Sequence, residues 1–236
     1  MWNARRAVLA IVAVLVLGAV SIIYIVTTTV HPPAGCTVSA TRTSTETYQL
    51  GVAQADNAAT IAAVGFKVGM PDHAVTIALA TALQESGLIN LQGGDRDSAG
   101  LFQQRPSQGW GSHAEITDPV YAATAFYHRL ASLSHWADLS VTVAAQSVQH
   151  SGAPDAYAQW EPEARVLAKA LTGETPATLS CHDLTATRPS ADLRTLARAE
   201  LGTDVLSGPH PAARGWAIAA WLVGHSTRLA MSEVHF

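Results

Sequence analysis

A glutamate that closes an apolar helical pattern is the residue in this chain best suited to acid–base chemistry. In ALATALQESGLINLQGGDRDSAGLFQQRPSQGWG, Ala78 to Gly111, Leu79, Ala82 and Leu83 lead into Glu85, and the pattern then breaks into glycines, acids and amides. A carboxyl beside apolar walls loses hydration, which disfavours its charged form. The C-terminal end of a helix dipole acts in the same direction. Such an acid suits protonation of a leaving oxygen. The plainer alternative is a solvated glutamate at an ordinary helix end.

Asp95 and Asp97 follow within GGDRDSAG. A second carboxyl about 6.5–9.5 Å from the first suits general-base activation of water, and one at about 5–5.5 Å suits a covalent nucleophile. Asp95 is the candidate base; both aspartates equally suit a turn in which carboxylates cap nearby amides. QQRPSQGWG supplies amides, Arg105 and Trp110. Sugars stack on aromatic faces and bond to amides, so this loop suits the wall of a saccharide cleft, while Trp110 also suits a core plug. His113, His128, His135 and His150 fall in the same region without HxxxH or HxH spacing, so neither metal nor cofactor is expected. With a formal charge of −4 and no Lys/Arg block, a nucleic-acid partner is not expected either.

The elements that must position Glu85 read as helices. VAQADNAATIAAVGFKVG has apolar residues at helical spacing and stops at Gly69; MPDHAVTIALATALQES restarts with Pro71 and Asp72. TDPVYAATAFYHRLASL carries Thr117 as the expected cap, SVTVAAQSVQHSG carries Ser140, and PDAYAQWEPEARVLAKALTG stops at Gly173. Trp136 and Trp160 read as helix-packing residues.

Upstream, Ala7 to Val26 is a continuous apolar run about as long as a bilayer core requires, with Arg5 and Arg6 before it. It reads as an uncleaved signal anchor with a cytoplasmic N-terminus, residues 1–6; a cleaved signal peptide is the competing reading. Residues 27–49 read as a polar tether. In an exported chain the paired Cys36 and Cys181 read as a disulfide around the whole middle region, 50–181. Residues 182–236 read as a small segment of two helices and a terminal strand, SEVHF, too small for a core of its own.

The QES of Gln84 to Ser86 followed by the GLFQ of Gly100 to Gln103 resembles the signature of the lysozyme-like superfamily. More narrowly, it is similar to lytic transglycosylases and goose-type lysozymes. These carry a catalytic Glu-Ser at the end of a buried helix and then a GLMQ turn. The resemblance runs from about Leu50 to Leu171. It implies that Glu85 is the general acid, that Ser86 supports it or a glycan oxygen, and that Gln103 lines the sugar cleft. It also implies that Tyr157 hydrogen-bonds the acid or the substrate. Phe102 replaces the family's Met, and Gln149 and His150 stand where the family has Tyr and Asn, so Gln149 is the amide left for substrate. If neither aspartate faces the cleft, the resemblance implies attack by the substrate's own 6-hydroxyl, leaving a 1,6-anhydro sugar. GWAIAAWLVGHSTRLAMSEVHF resembles part of a small domain appended to many actinobacterial secreted proteins.

The expectation is therefore a mainly α protein: a lysozyme-like helical domain behind a transmembrane helix, with a small, incomplete α/β C-terminal segment. The expected activity is cleavage of the β-1,4 bond between N-acetylmuramic acid and N-acetylglucosamine in peptidoglycan strands, outside the cell membrane. A non-catalytic glycan-binding or structural envelope protein on the same fold is the alternative.

Overall fold

Cys36 and Cys181 face each other on neighbouring strands and form a disulfide across a sequence separation of 145. The computed structural model that contains this bond describes residues 33–236. The apolar run Ala7 to Val26 lies outside the described residues. Among the described residues no helix is long and apolar enough to cross a membrane.

Strand β1 (Gly35–Ser39) pairs antiparallel with β2 (Thr47–Gly51) on one side and with β3 (Leu179–His182) on the other. Among the described residues, the segment expected as a polar tether thus contributes β1 and the start of β2 to a sheet. Its Cys36 and Val38 are buried, as is the adjoining Leu50, and β1 lies between β2 and β3, the latter far along the chain. Between β2 and β3 run the helices α1 (Val52–Lys67), α2 (Asp72–Ser86), α3 (His113–Ile116), α4 (Pro119–Ala131), α5 (Val141–Gln149) and α6 (Glu161–Leu171). The chain is mainly helical, as its composition suggests.

Helix α2 is the centre of the core. Every residue from Ala74 to Leu83 is buried, and full burial of a side chain such as Ile77 or Leu79 contributes about 2 kcal/mol. Alanines let neighbouring helices approach closely, and Gly65 of α1 carries this further. A Cβ there would lie 2.7 Å from the Tyr127 hydroxyl, which donates to the Ile61 carbonyl at 3.0 Å. At the start of α4, Asp118 rather than Thr117 is the cap, accepting from Val120 N at 2.8 Å and Tyr121 N at 3.0 Å. Thr117 instead donates to the His113 carbonyl at 2.7 Å, closing the turn before. Ser140 caps α5 as expected.

The C-terminal segment holds three helices joined by irregular stretches: α7 (Leu193–Leu201), α8 (Ala212–Gly224) and α9 (Ser226–Leu229). SEVHF is not a strand. Helix α8 packs beside β3, with Cys181 Sγ against the Val223 carbonyl. The tail crosses α8 instead, the Phe236 ring standing edge-on to Trp216 at 4.9 Å. These helices belong to the same compact unit as the rest of residues 34–236. A buried polar cluster joins them to α1. His225 contacts Asp56 Oδ1 at 2.6 Å and Glu200 Oε2 at 2.7 Å; Trp221 Nε1 donates to Glu200 Oε2 and Thr60 Oγ1 to Glu200 Oε1.

Candidate active site

Glu85 sits in the last turn of α2, and the chain leaves that helix through Gly87 in the left-handed conformation. The Leu88 amide donates to the Ala82 carbonyl at 3.1 Å and the Gly87 amide to the Leu83 carbonyl at 3.0 Å, so the helix end is closed by its own backbone. Two amides on one face of α1 secure the exit: Gln54 Nε2 donates to the Gly87 carbonyl and Asn57 Nδ2 to the Leu88 carbonyl, each at 2.8 Å. The helix end is therefore rigid where the acid stands.

Glu85 itself is half-buried. The Tyr157 hydroxyl donates to its Oε1 at 2.6 Å. Among the described residues Oε2 has no hydrogen-bond partner, and it keeps contact with solvent. Tyr157 comes from a 3-10 turn, Ala156–Trp160, and is fully buried. Burial, and then the hydrogen bond to Glu85, push its phenol far above the usual tyrosine range, so it remains a proton donor.

The GLFQ turn is tied to the same helix end. The Ser86 hydroxyl bridges the carbonyls of Ala82 at 3.0 Å and Leu101 at 2.7 Å, rather than reaching the carboxyl of Glu85. Gln149, at the end of α5, donates from Nε2 to the Phe102 carbonyl at 2.7 Å. Its Oε1 stays open to solvent among the described residues. Gln103 folds back on its own turn, Oε1 accepting from Ser98 and Nε2 donating to the Gly100 carbonyl. Phe102 is fully buried and stacks on Phe126 at 4.7 Å. Ser86, Gln103 and Gln149, expected to touch sugar, thus also help to build the turn.

Trp110 is 6 % exposed, and the Arg129 guanidinium covers its ring at 3.9 Å. Its indole fills the core rather than offering a face to a ligand. Asp97 is latched: Oδ1 accepts from Arg105 Nε at 2.7 Å and Oδ2 from Ser107 N at 2.8 Å. The Ser107 hydrogen bonds and then Arg105 hold its carboxyl well below the usual range. Asp95 extends into solvent, its side chain 94 % exposed, with Arg96 3.8 Å away. Neither aspartate is bonded to the Glu85 site.

The sequence reading missed Gln84, Gln54, Asn57 and Trp160 as builders of this site. The spacing of Gln54 and Asn57 on α1 was the available signal. Cavities of about 270 and 220 Å³ flank the tail Val234–Phe236 and include none of these residues. Among the described residues no group of His, Cys, Asp and Glu is arranged to hold a metal.

Fold and site together define a mainly helical protein with a disulfide-closed, three-stranded sheet and a carboxylic acid anchored at a helix end. No known family model and no curated protein matches the chain.

Proposed function

We propose that this protein is a peptidoglycan glycosidase that cleaves the β-1,4 bond between N-acetylmuramic acid and N-acetylglucosamine, with Glu85 as general acid. The observation that carries the reading is the Tyr157–Glu85 hydrogen bond at 2.6 Å, which assigns the two carboxyl oxygens different tasks. A tyrosine that donates to Oε1 leaves the acid's own proton on Oε2, the oxygen open to solvent. From there it passes to the glycosidic oxygen as the bond to the anomeric carbon breaks.

The second step favours the substrate's own 6-hydroxyl over a protein-held water. Asp97 is committed to Arg105 and Ser107, and Asp95 stands in solvent. The 6-hydroxyl oxygen bonds to the anomeric carbon, its proton returns to Glu85, and a 1,6-anhydro end results. This is lytic transglycosylation rather than hydrolysis. In this reading the run Ala7 to Val26 holds the unit at the outer face of the cell membrane, where the glycan strands lie.

Purified sacculi treated with the full-length chain in detergent test the proposal. Released muropeptides bearing anhydro ends, absent with Glu85→Gln, are the expected outcome. Reducing ends would transfer the second step to water. Release by neither protein, with both retained on sacculi, would replace catalysis by glycan binding.

A further inference from the structure

The residues beside Glu85 and Tyr157 also hold each other. Gln84 Oε1 accepts from Trp160 Nε1 at 2.8 Å and from Gln159 Nε2 at 3.1 Å. Gln84 and Glu85 are consecutive at the end of α2. Tyr157 and Trp160 are three residues apart in the turn Ala156–Trp160, a spacing that places side chains on one face of a 3-10 helix. Two neighbouring side chains of one helix therefore grip two points of one short turn.

From this juxtaposition we infer that Gln84 and Trp160 form a positioning pair, which keeps the Tyr157 hydroxyl on Glu85 Oε1. The inference rests on Glu85 being the general acid. A turn of five residues has few backbone bonds of its own, and Gly152 to Asp155 just before it are exposed. The place of Tyr157 along the helix end thus depends on side-chain anchors. Its buried ring fixes the plane of the phenol, while the hydroxyl's reach to Oε1 depends on fractions of an ångström in the turn. Gln84 is suited to the task because both lone pairs of its oxygen are engaged. Turning the amide over would place its NH₂ group against two donors. Trp160 is half-buried, so its N–H is drawn to Gln84 rather than forced there by burial alone.

Trp160→Phe removes the donor and keeps an aromatic ring; Gln84→Met removes the acceptor and keeps the chain length. Both variants and their combination, made in the full-length chain, are compared with wild type in two ways. One is muropeptide release resolved into kcat and KM. The other is the downfield NMR signal of the Tyr157 hydroxyl proton, recognised by its loss in Tyr157→Phe. Each single variant is expected to lower kcat roughly 10-fold with KM little changed, as a small misplacement of a catalytic group does. The double variant should lose no more than Gln84→Met alone, because that variant has already lost the bond that Trp160→Phe removes. The hydroxyl signal should shift or broaden in all three. An unchanged signal with unchanged kcat, or losses that multiply in the double variant, would overturn the pair. Should wild type release nothing, the proposed activity falls, and the signal alone decides: retained in the variants, it overturns the pair; displaced, it upholds it. If Trp160→Phe fails to fold, Gln84→Met decides by itself.

Discussion

Tyr157 Oη lies 2.6 Å from Glu85 Oε1, although the two residues are 72 positions apart in the chain. The contact joins a buried ring from a short turn to the rigid end of α2. Tyr157→Phe keeps the ring and removes only the donor. It is expected to lower kcat by roughly 10- to 100-fold, within the span general acid–base groups contribute, with KM little affected. Turnover on sacculi at saturating substrate measures this; wild-type turnover in the variant would remove Tyr157 from the mechanism.

His225 gives the fold a pH dependence of its own. Its two ring nitrogens each face a carboxylate, Asp56 and Glu200, a pair of acceptors that suits an imidazolium donating from both; Arg228 lies beside both carboxylates and Trp221 caps Glu200. Burial pushes the imidazole down, but the Asp56 and Glu200 hydrogen bonds outweigh it and hold the ring up at about 8. In the unfolded chain the ring releases its proton near ~6.5. The folded state therefore binds more protons between these values. The contribution is complete below the lower value and is lost as the pH rises through the upper one, a change on the order of 2 kcal/mol. Urea unfolding at pH 6 and pH 9 should show the decline, and His225→Gln should remove most of it. A parallel decline in that variant would place the dependence elsewhere.

The disulfide closes a loop with a sequence separation of 145. Chain entropy assigns a bridge of that span on the order of 5 kcal/mol. Replacing Cys36 and Cys181 together by Ser should lower the urea midpoint strongly, and adding reductant to the native protein should do the same. A midpoint indifferent to both would show that the sheet closes the fold without the bond.

Gly100 opens the GLFQ turn with φ +78°, and a Cβ there would lie 2.0 Å from the Ile116 carbonyl oxygen. Backbone, not a flexible side chain, is the obstacle. Gly100→Ala is expected to cost on the order of 3 kcal/mol in stability and to lower activity by displacing the turn that Ser86 and Gln149 hold. Denaturant unfolding measures the first effect; a stability equal to wild type would contradict it.

Much of this architecture is legible in local patterns. The helix over Asp72–Ser86 follows from its apolar run and its Pro-Asp start, and Ser140 announces α5. The position of Glu85 at a buried helix end follows from the same run, since burial of Ala74 to Leu83 carries the next turn to the edge of the core. The cysteine pair was readable from its even count in a chain that reads as exported. Less legible were the residues whose partners are remote. Residues 27–49 read as a polar tether because the strands within them are short and β3, the second neighbour of β1, lies far along the chain. SEVHF read as a strand because alternation does not reveal that Phe236 packs on Trp216 of α8 instead of joining the sheet. Trp110 suits a cleft wall or a plug by sequence alone, and the Arg129 guanidinium on its face decides for the plug.

Periodicity, caps and breakers are properties of a few consecutive residues, so the amino-acid order alone settles where this chain turns helical and where its acid stands along the helix. Which groups meet depends on the closure of long loops, and a side-chain amide or hydroxyl accepts any suitable partner that the packed core delivers. Folding, for that reason, commits Ser86, Gln103 and Gln149 to the turn, latches Asp97 to Arg105, and brings Tyr157 to one oxygen of Glu85 while leaving the other open.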